Sequence, residues 1–139
     1  LQQLCADKGL TERVHFAGFQ DPTGPYFAAM DLYVQPSLNE AFGIAVVEAM
    51  AMGKAVVASR VGGLPEIVAH EETGLLVSPR DVAELARAII ALLEDRQYRE
   101  WIGSRGLIRA RERFDLKTTV IGLEQVYREV LAKGAGLVG

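Results

Sequence analysis

The residues best suited to chemistry lie in one stretch, "PSLNEAFGIAVVEAMAMGKAVVAS" (36–59), which sets Glu40 and Glu48 in an otherwise apolar run. A carboxylate is seldom fully buried without a partner, so each glutamate is either solvated or meets something polar. Between them, Gly43 leads into a helix predicted to begin at Ile44, and the first N–H groups of a helix have no partner within it. The N–H groups of Gly43, Ile44 and Ala45 therefore form an anion site, for which a diphosphate is the natural occupant. Glutamates repel phosphates but accept hydrogen bonds from hydroxyl groups. A polyhydroxylated ligand on both sides of a phosphate satisfies both conditions, with a ribose near one glutamate and a sugar near the other. That description fits a nucleotide-sugar better than a simple phosphoester. The bland alternative is a pair of solvated helix-surface glutamates, which chance supplies often at this spacing.

Two further loops have unusual composition. In "RVGGLPE" (60–66), Gly62 and Gly63 permit close backbone approach, and Pro65 starts a short helix directed at the same edge. Its plain reading is a strand-to-helix turn with Glu66 near the positive helix end. The loop Gly18–Pro25 is equally rich in glycine and proline and could wall a base. Arg60 adjoins a ligand-facing loop, whereas Lys54 and Arg80 do not. His15 and His70 have no partnering motif and read as structural or surface residues. Tyr98, Trp101 and Tyr127 read as core or helix packing. No G-x-x-x-x-G-K-[ST] pattern and no metal-ligand cluster occurs, so no metal or other cofactor is expected.

Holding such loops in place takes an α/β scaffold. A helix over 2–9 is capped by Gly9, and a first strand "VHFAG" (14–18) is closed by Gly18. A short helix opens at Pro25, "LYVQPS" (32–37) is a second strand broken by Pro36, and Ile44–Met52 is a helix ended by Gly53. "AVVAS" (55–59) has the continuous apolar character of a buried parallel strand, and "GLLVS" (74–78) is the fourth. Asp81 and Glu84 make a capping-box start to a helix over 82–94, with Val82, Leu85, Ala86, Ile89, Ile90 and Leu93 on one face. Helices at 97–111 and 116–133 follow, joined around Phe114 and Asp115, and "GAGLVG" closes the chain as a loose tail. Short apolar strands alternating with helices predict a parallel sheet of at least four strands. The 139 residues suit one domain, half of them apolar, with a formal net charge of -3 and no basic face for nucleic acid. A single cysteine, Cys5, excludes a disulfide framework and suits a reducing, cytoplasmic compartment. No run of apolar residues is long enough to span a bilayer.

With these elements in order, "VHFAGF", "AAMDLYVQPSLNEAFGIAVVEAMAMGKAVVAS", "VGGLPEIV" and "TGLLVSPRD" resemble the donor-binding half of retaining glycosyltransferases of the two-Rossmann-domain (GT-B) architecture. The resemblance runs from Val14 to Asp95 and more loosely to the C-terminus. It implies a Rossmann-like donor domain over 1–139, with helices 97–133 at its end. Glu40 and Glu48 correspond to that family's paired glutamates, Glu40 touching the transferred hexose and Glu48 the ribose. The resemblance further implies that N–H groups at Phe42, Gly43 and Ile44 hold sugar and diphosphate. Gly18 and Phe19 would border the base, Ser37 would lie near the phosphates, and Gly62 and Gly63 would flank the donor. It implies retention of anomeric configuration without a metal, Glu40 orienting and stabilising rather than attacking.

The family's donor domain begins with two βα units, bearing a glycine-rich turn and basic residues, that have no counterpart here. An acceptor domain, which would take a sugar, lipid or small molecule, also has no counterpart. The resemblance therefore implies part of a longer protein, membrane-peripheral or free, or a chain completed by another. Alone it is expected to be inactive and to associate with itself along an interrupted sheet. The competing reading from another class is a non-catalytic nucleotide-sugar binding or regulatory module. A third is a different GT-B enzyme, an epimerase or a phosphorylase-like protein.

Overall fold

In the computed structural model, which describes residues 1–134, strand β2 (Ala55–Ser59) is buried at every position. That is the behaviour of an apolar run with a parallel neighbour on each side. Its neighbours are β1 (Leu32–Gln35) and β3 (Leu75–Val77), giving a three-stranded parallel sheet in the order β1-β2-β3. The register pairs Leu32 with Ala55 and Gln35 with Ala58 on one side, and Val57 with Leu75 and Ser59 with Val77 on the other. Because side chains alternate across a strand, β2 feeds two cores. Val56 and Ala58 pack with α3 (Ile44–Ala51) through Val46, Ala49 and Met50, and with α4 (Leu64–Ile67) through Leu64 and Ile67. Ala55 and Val57 pack on the opposite face with Leu92 of α5 (Val82–Glu94) and Ile102 of α6 (Arg96–Arg113). Each Val, Leu, Ile or Met side chain among them that is taken fully out of water contributes roughly 1.5–3 kcal/mol.

Helix α6 ties the layers together, contributing Ala110 to one core and Ile102 to the other. Its Arg109 donates to the carbonyls of Ile67 (2.6 Å) and Glu66 (2.7 Å), satisfying the C-terminal end of α4. Burial first, and then the charge of Arg113, lowers the Arg109 pKa. Asp81 caps α5 by accepting from the Glu84 N–H at 2.8 Å. The Glu84 carboxylate reaches back to the Ser78 N–H, also at 2.8 Å, so it closes the preceding turn rather than completing a box with Asp81.

Several expectations are corrected. Residues Val14–Gly18 form no strand, so the sheet has three strands and not four. A strand persists through its ladder, and among the described residues Val14–Gly18 pairs with no other strand. Val14 and Phe16 are accordingly exposed, as is His15. The first helix is α1 (Gln2–Asp7), with Gly9 just beyond it at φ +66°. The short helix at Pro25 is α2 (Gly24–Ala29), capped at Thr23. Helix α3 ends at Ala51, one residue short of the expected Met52, and α6 is longer than expected at both ends.

The buried face of α5 is Leu85, Ala88, Ile89 and Leu92, whereas Val82, Ile90 and Leu93 are at least half exposed. The i, i+3, i+4, i+7 stripe was right in period and displaced around the helix. Tyr98 is half-buried and stacks on Trp101, but Trp101 is about half exposed beneath Arg105, and Tyr127 is exposed on α7 (Leu116–Gly134). The terminal "GAGLVG" lies outside the described residues apart from Gly134, the last residue of α7. Its glycines follow G-x-G-x-x-G spacing, but a helix and not a strand leads into them, which is the wrong context for a dinucleotide turn. No helix among the described residues is long and apolar enough to cross a membrane.

Candidate functional site

Strand β1 ends at Gln35, and the loop Pro36–Gly43 carries the chain from the carboxyl edge of the sheet into α3. In open parallel sheets this edge is where ligands are bound. Gly43 is the N-cap of α3 in the left-handed region (φ +105°, ψ +51°), and a Cβ there would stand 2.6 Å from Leu64 Cδ2. The conformation itself calls for glycine, and a side chain there would also have to displace the end of Leu64. Gly43 offers no side-chain cap, and among the described residues the N–H groups of Gly43, Ile44 and Ala45 have no hydrogen-bond partner. Three donors are left at the positive end of the helix.

The glutamates flank this end. Glu48 is exposed on the second turn of α3, and Glu40 is half-buried in the loop, its Cγ 3.7 Å from where a Gly43 Cβ would be. Glu40 is held at both its backbone and its side chain. The Gly63 N–H donates to the Glu40 carbonyl at 3.2 Å, and Gln35 Nε2 donates to Glu40 Oε2 at 3.3 Å. Gln35 Nε2 also donates to Ser37 Oγ at 2.8 Å, and the Tyr33 hydroxyl donates to Gln35 Oε1. Burial first, and then the negative charges of Glu40 and Glu48, pushes the Tyr33 phenol above its ordinary pKa, so it remains a donor.

The glycine pair has a packing role of its own. Gly62 has φ +50°, and a Cβ on it would fall 1.7 Å from the Glu40 carbonyl oxygen; one on Gly63 would fall 2.7 Å from that of Ala41. The two loops press backbone to backbone, which only glycine allows. Phe42 lies edge-on to Phe114 (6.0 Å between centroids) and is half exposed, and Ile44 is exposed.

The structure therefore gathers Ser37, Glu40, Phe42, Gly43, Gly62 and Gly63, with Ile44 and Glu48 on the adjoining helix. Gly18 and Phe19 stand in the exposed N-terminal segment, Phe19 being 93% exposed, and a Cβ on Gly18 would meet nothing within 4 Å. Arg60 reaches back to the Leu76 carbonyl (3.4 Å), and His70 Nδ1 accepts from the Leu76 N–H (3.0 Å), a structural use. Among the described residues no three His, Cys, Asp or Glu side chains are grouped to hold a metal. Tyr33 and Gln35 escaped the sequence reading. Their signal is the alternation in "LYVQ", which puts both on one face of a strand that ends at the site.

A parallel sheet covered by helices, with an open helix end at its carboxyl edge, is the architecture of a Rossmann-like ligand-binding domain. The backbone superposes on solved glycosyltransferases of the GT-B type. Sucrose-phosphate synthase from Thermosynechococcus elongatus superposes with a TM-score of 0.88 at 38% identity, over 95% of this chain and 34% of that one. Anabaena HepE, solved in complex with UDP-glucose, superposes with a TM-score of 0.83 at 38% identity, over 95% and 35%. In sequence, the N-acetyl-alpha-D-glucosaminyl L-malate synthase of Bacillus anthracis is 35% identical over 129 residues, 93% of this chain and 34% of that protein. Residues 1–95 match the family described as glycosyl transferases group 1. The chain belongs to that family and spans about a third of the length of these relatives.

Proposed function

We propose that residues 1–139 are the donor-side domain, in part, of a retaining glycosyltransferase that moves a hexose from a nucleoside-diphosphate sugar to an acceptor. The observation that carries this reading is the open N-terminus of α3, set between two carboxylates at the carboxyl edge of the sheet. The N–H groups of Phe42, Gly43 and Ile44 receive the diphosphate and the adjoining sugar. As the glycosidic bond breaks, charge develops on the leaving diphosphate, and donors already fixed in place stabilise it without reorganisation. No metal is needed for that role. Glu48 takes the ribose hydroxyls and Glu40 the hexose hydroxyls, orienting the sugar and stabilising positive charge as it grows at the anomeric carbon. Ser37 lies toward the phosphates, Gly62 and Gly63 flank the donor, and Gly18 and Phe19 border the base. HepE, solved with UDP-glucose, supports a nucleotide-sugar as the ligand class.

The acceptor (a sugar, a lipid or a small molecule) is bound by parts of the protein outside these residues, in the cytoplasm. The isolated chain is inactive and self-associates along the outer edge of β1, which is unpaired among the described residues; light scattering reads this directly. The division of labour is tested in the protein at its full natural length. Glu48→Ala should weaken nucleoside-diphosphate affinity about tenfold, the worth of a hydrogen bond to a charged group, while Glu40→Ala should spare the bare diphosphate and lower turnover of labelled hexose together with affinity for the sugar-bearing donor. Equal loss of nucleotide affinity in both variants would refute the assignment.

A further inference from the structure

We propose that Gln35 is a positioning residue for Glu40, its amide holding one carboxylate oxygen so that the other is left for the hexose, with Tyr33 fixing the way the amide faces. This rests on the nucleotide-sugar reading above and adds residues that reading does not use. Gln35 spends both amide hydrogens at the site, on Ser37 Oγ (2.8 Å) and Glu40 Oε2 (3.3 Å). Its oxygen is taken by the Tyr33 hydroxyl. Turning the amide over would aim Oε1 at the Glu40 carboxylate, acceptor against acceptor, so only one orientation satisfies every group.

The consequence for Glu40 is loss of freedom. A glutamate side chain on a loop samples several rotamers, and fixing it costs entropy that a transfer reaction would otherwise meet at each turnover. Here its backbone is pinned by the Gly63 N–H and its Oε2 by Gln35. Among the described residues Oε1 has no hydrogen-bond partner. Gln35 itself sits on the sheet, in register with Ala58 of the fully buried β2, rather than on the loop it steadies. A group supported by a strand is held more closely than one supported by a loop.

The test uses the protein at its full natural length as wild type, Gln35→Leu and Gln35→Glu. Each is titrated calorimetrically with UDP-glucose, GDP-mannose and ADP-glucose, and with UDP, GDP and ADP. For the nucleotide-sugar that binds, Gln35→Leu should weaken affinity about tenfold while changing affinity for the bare diphosphate less than about twofold. The retained diphosphate affinity also reports a folded site. Gln35→Glu places a second carboxyl against Glu40, and two such groups share a proton with one pKa raised. Its protonated form can donate as the amide does, so nucleotide-sugar affinity should recover toward wild type as pH falls, with no such recovery in Gln35→Leu. Equal effects on sugar-bearing and bare nucleotides, or no pH-dependent recovery, would overturn the role of Gln35 while leaving the nucleotide-sugar reading intact. Wild type binding none of the nucleotide-sugars would remove that reading and this inference with it.

Discussion

The loop Pro36–Gly43 and the segment Leu10–Gln20 are alike in sequence signals and opposite in structure. Both contain glycine at a positive φ, exposed aromatic residues and a motif resembling the same family. The first is fixed by groups from β1, the Gly62–Gly63 turn and α4, and it orders Glu40 to a single hydrogen-bonded position. The second has no ladder, and Val14, Phe16 and Phe19 all face solvent. A motif dictates structure only where the residues that complete it are at hand. For the loop they come from β1, the Gly62–Gly63 turn and α4; "VHFAG" pairs with no strand among the described residues.

The largest way to break this contrast is Gly62→Ala. Its Cβ would lie 1.7 Å from the Glu40 carbonyl oxygen in a left-handed backbone, so the two loops must part. A loss of about 3 kcal/mol in urea unfolding is expected, together with loss of nucleotide-sugar binding. No change in either would show that the loops are not held together by that contact.

A second comparison sets Met50→Ala, at a fully buried position in the core beneath the loop, against Phe16→Ser in the exposed segment. The first should cost about 2–5 kcal/mol and the second less than about 0.5 kcal/mol. Similar losses from both would mean that Val14–Gly18 is packed after all.

The smallest effect concerns the turn after β3. The Ser78 N–H holds the Glu84 carboxylate below its ordinary pKa. A folded-state value below the unfolded one adds stability that is present above the ordinary glutamate range and is lost as pH falls through the depressed value. Unfolding midpoints measured from neutral to acid pH should fall less steeply in Glu84→Gln than in wild type, and an unchanged slope would contradict the assignment.

The fold was legible wherever a segment carried its own evidence. Strand β2 and the bounds of α5 are as read, because an apolar run between glycine and polar turns, and an Asp81 cap, are local facts. The missing first strand was not legible, since "VHFAG" has strand composition and lacks only a neighbour, which composition does not record. Displacement of the α5 stripe has a similar origin. Leu92 is buried and Ala88 partly so because α6 and the sheet arrive from that side, and the helix alone offers a broad apolar surface with several equivalent faces. Among the candidate site residues, Glu40, Gly43 and Gly62 stand out by residue type alone. Gln35 and Tyr33 do not, because an uncharged amide at a strand end is common and becomes informative only once Glu40 is seen beside it.

The most direct test of the central claim is calorimetric titration of the full-length protein with UDP, GDP, ADP and UDP-glucose, repeated with Glu48→Ala. Saturable binding of one nucleotide class, weakened about tenfold in Glu48→Ala, is the expected result. Absence of binding by any of them, or binding indifferent to Glu48, would contradict a nucleotide-sugar site at the open end of α3.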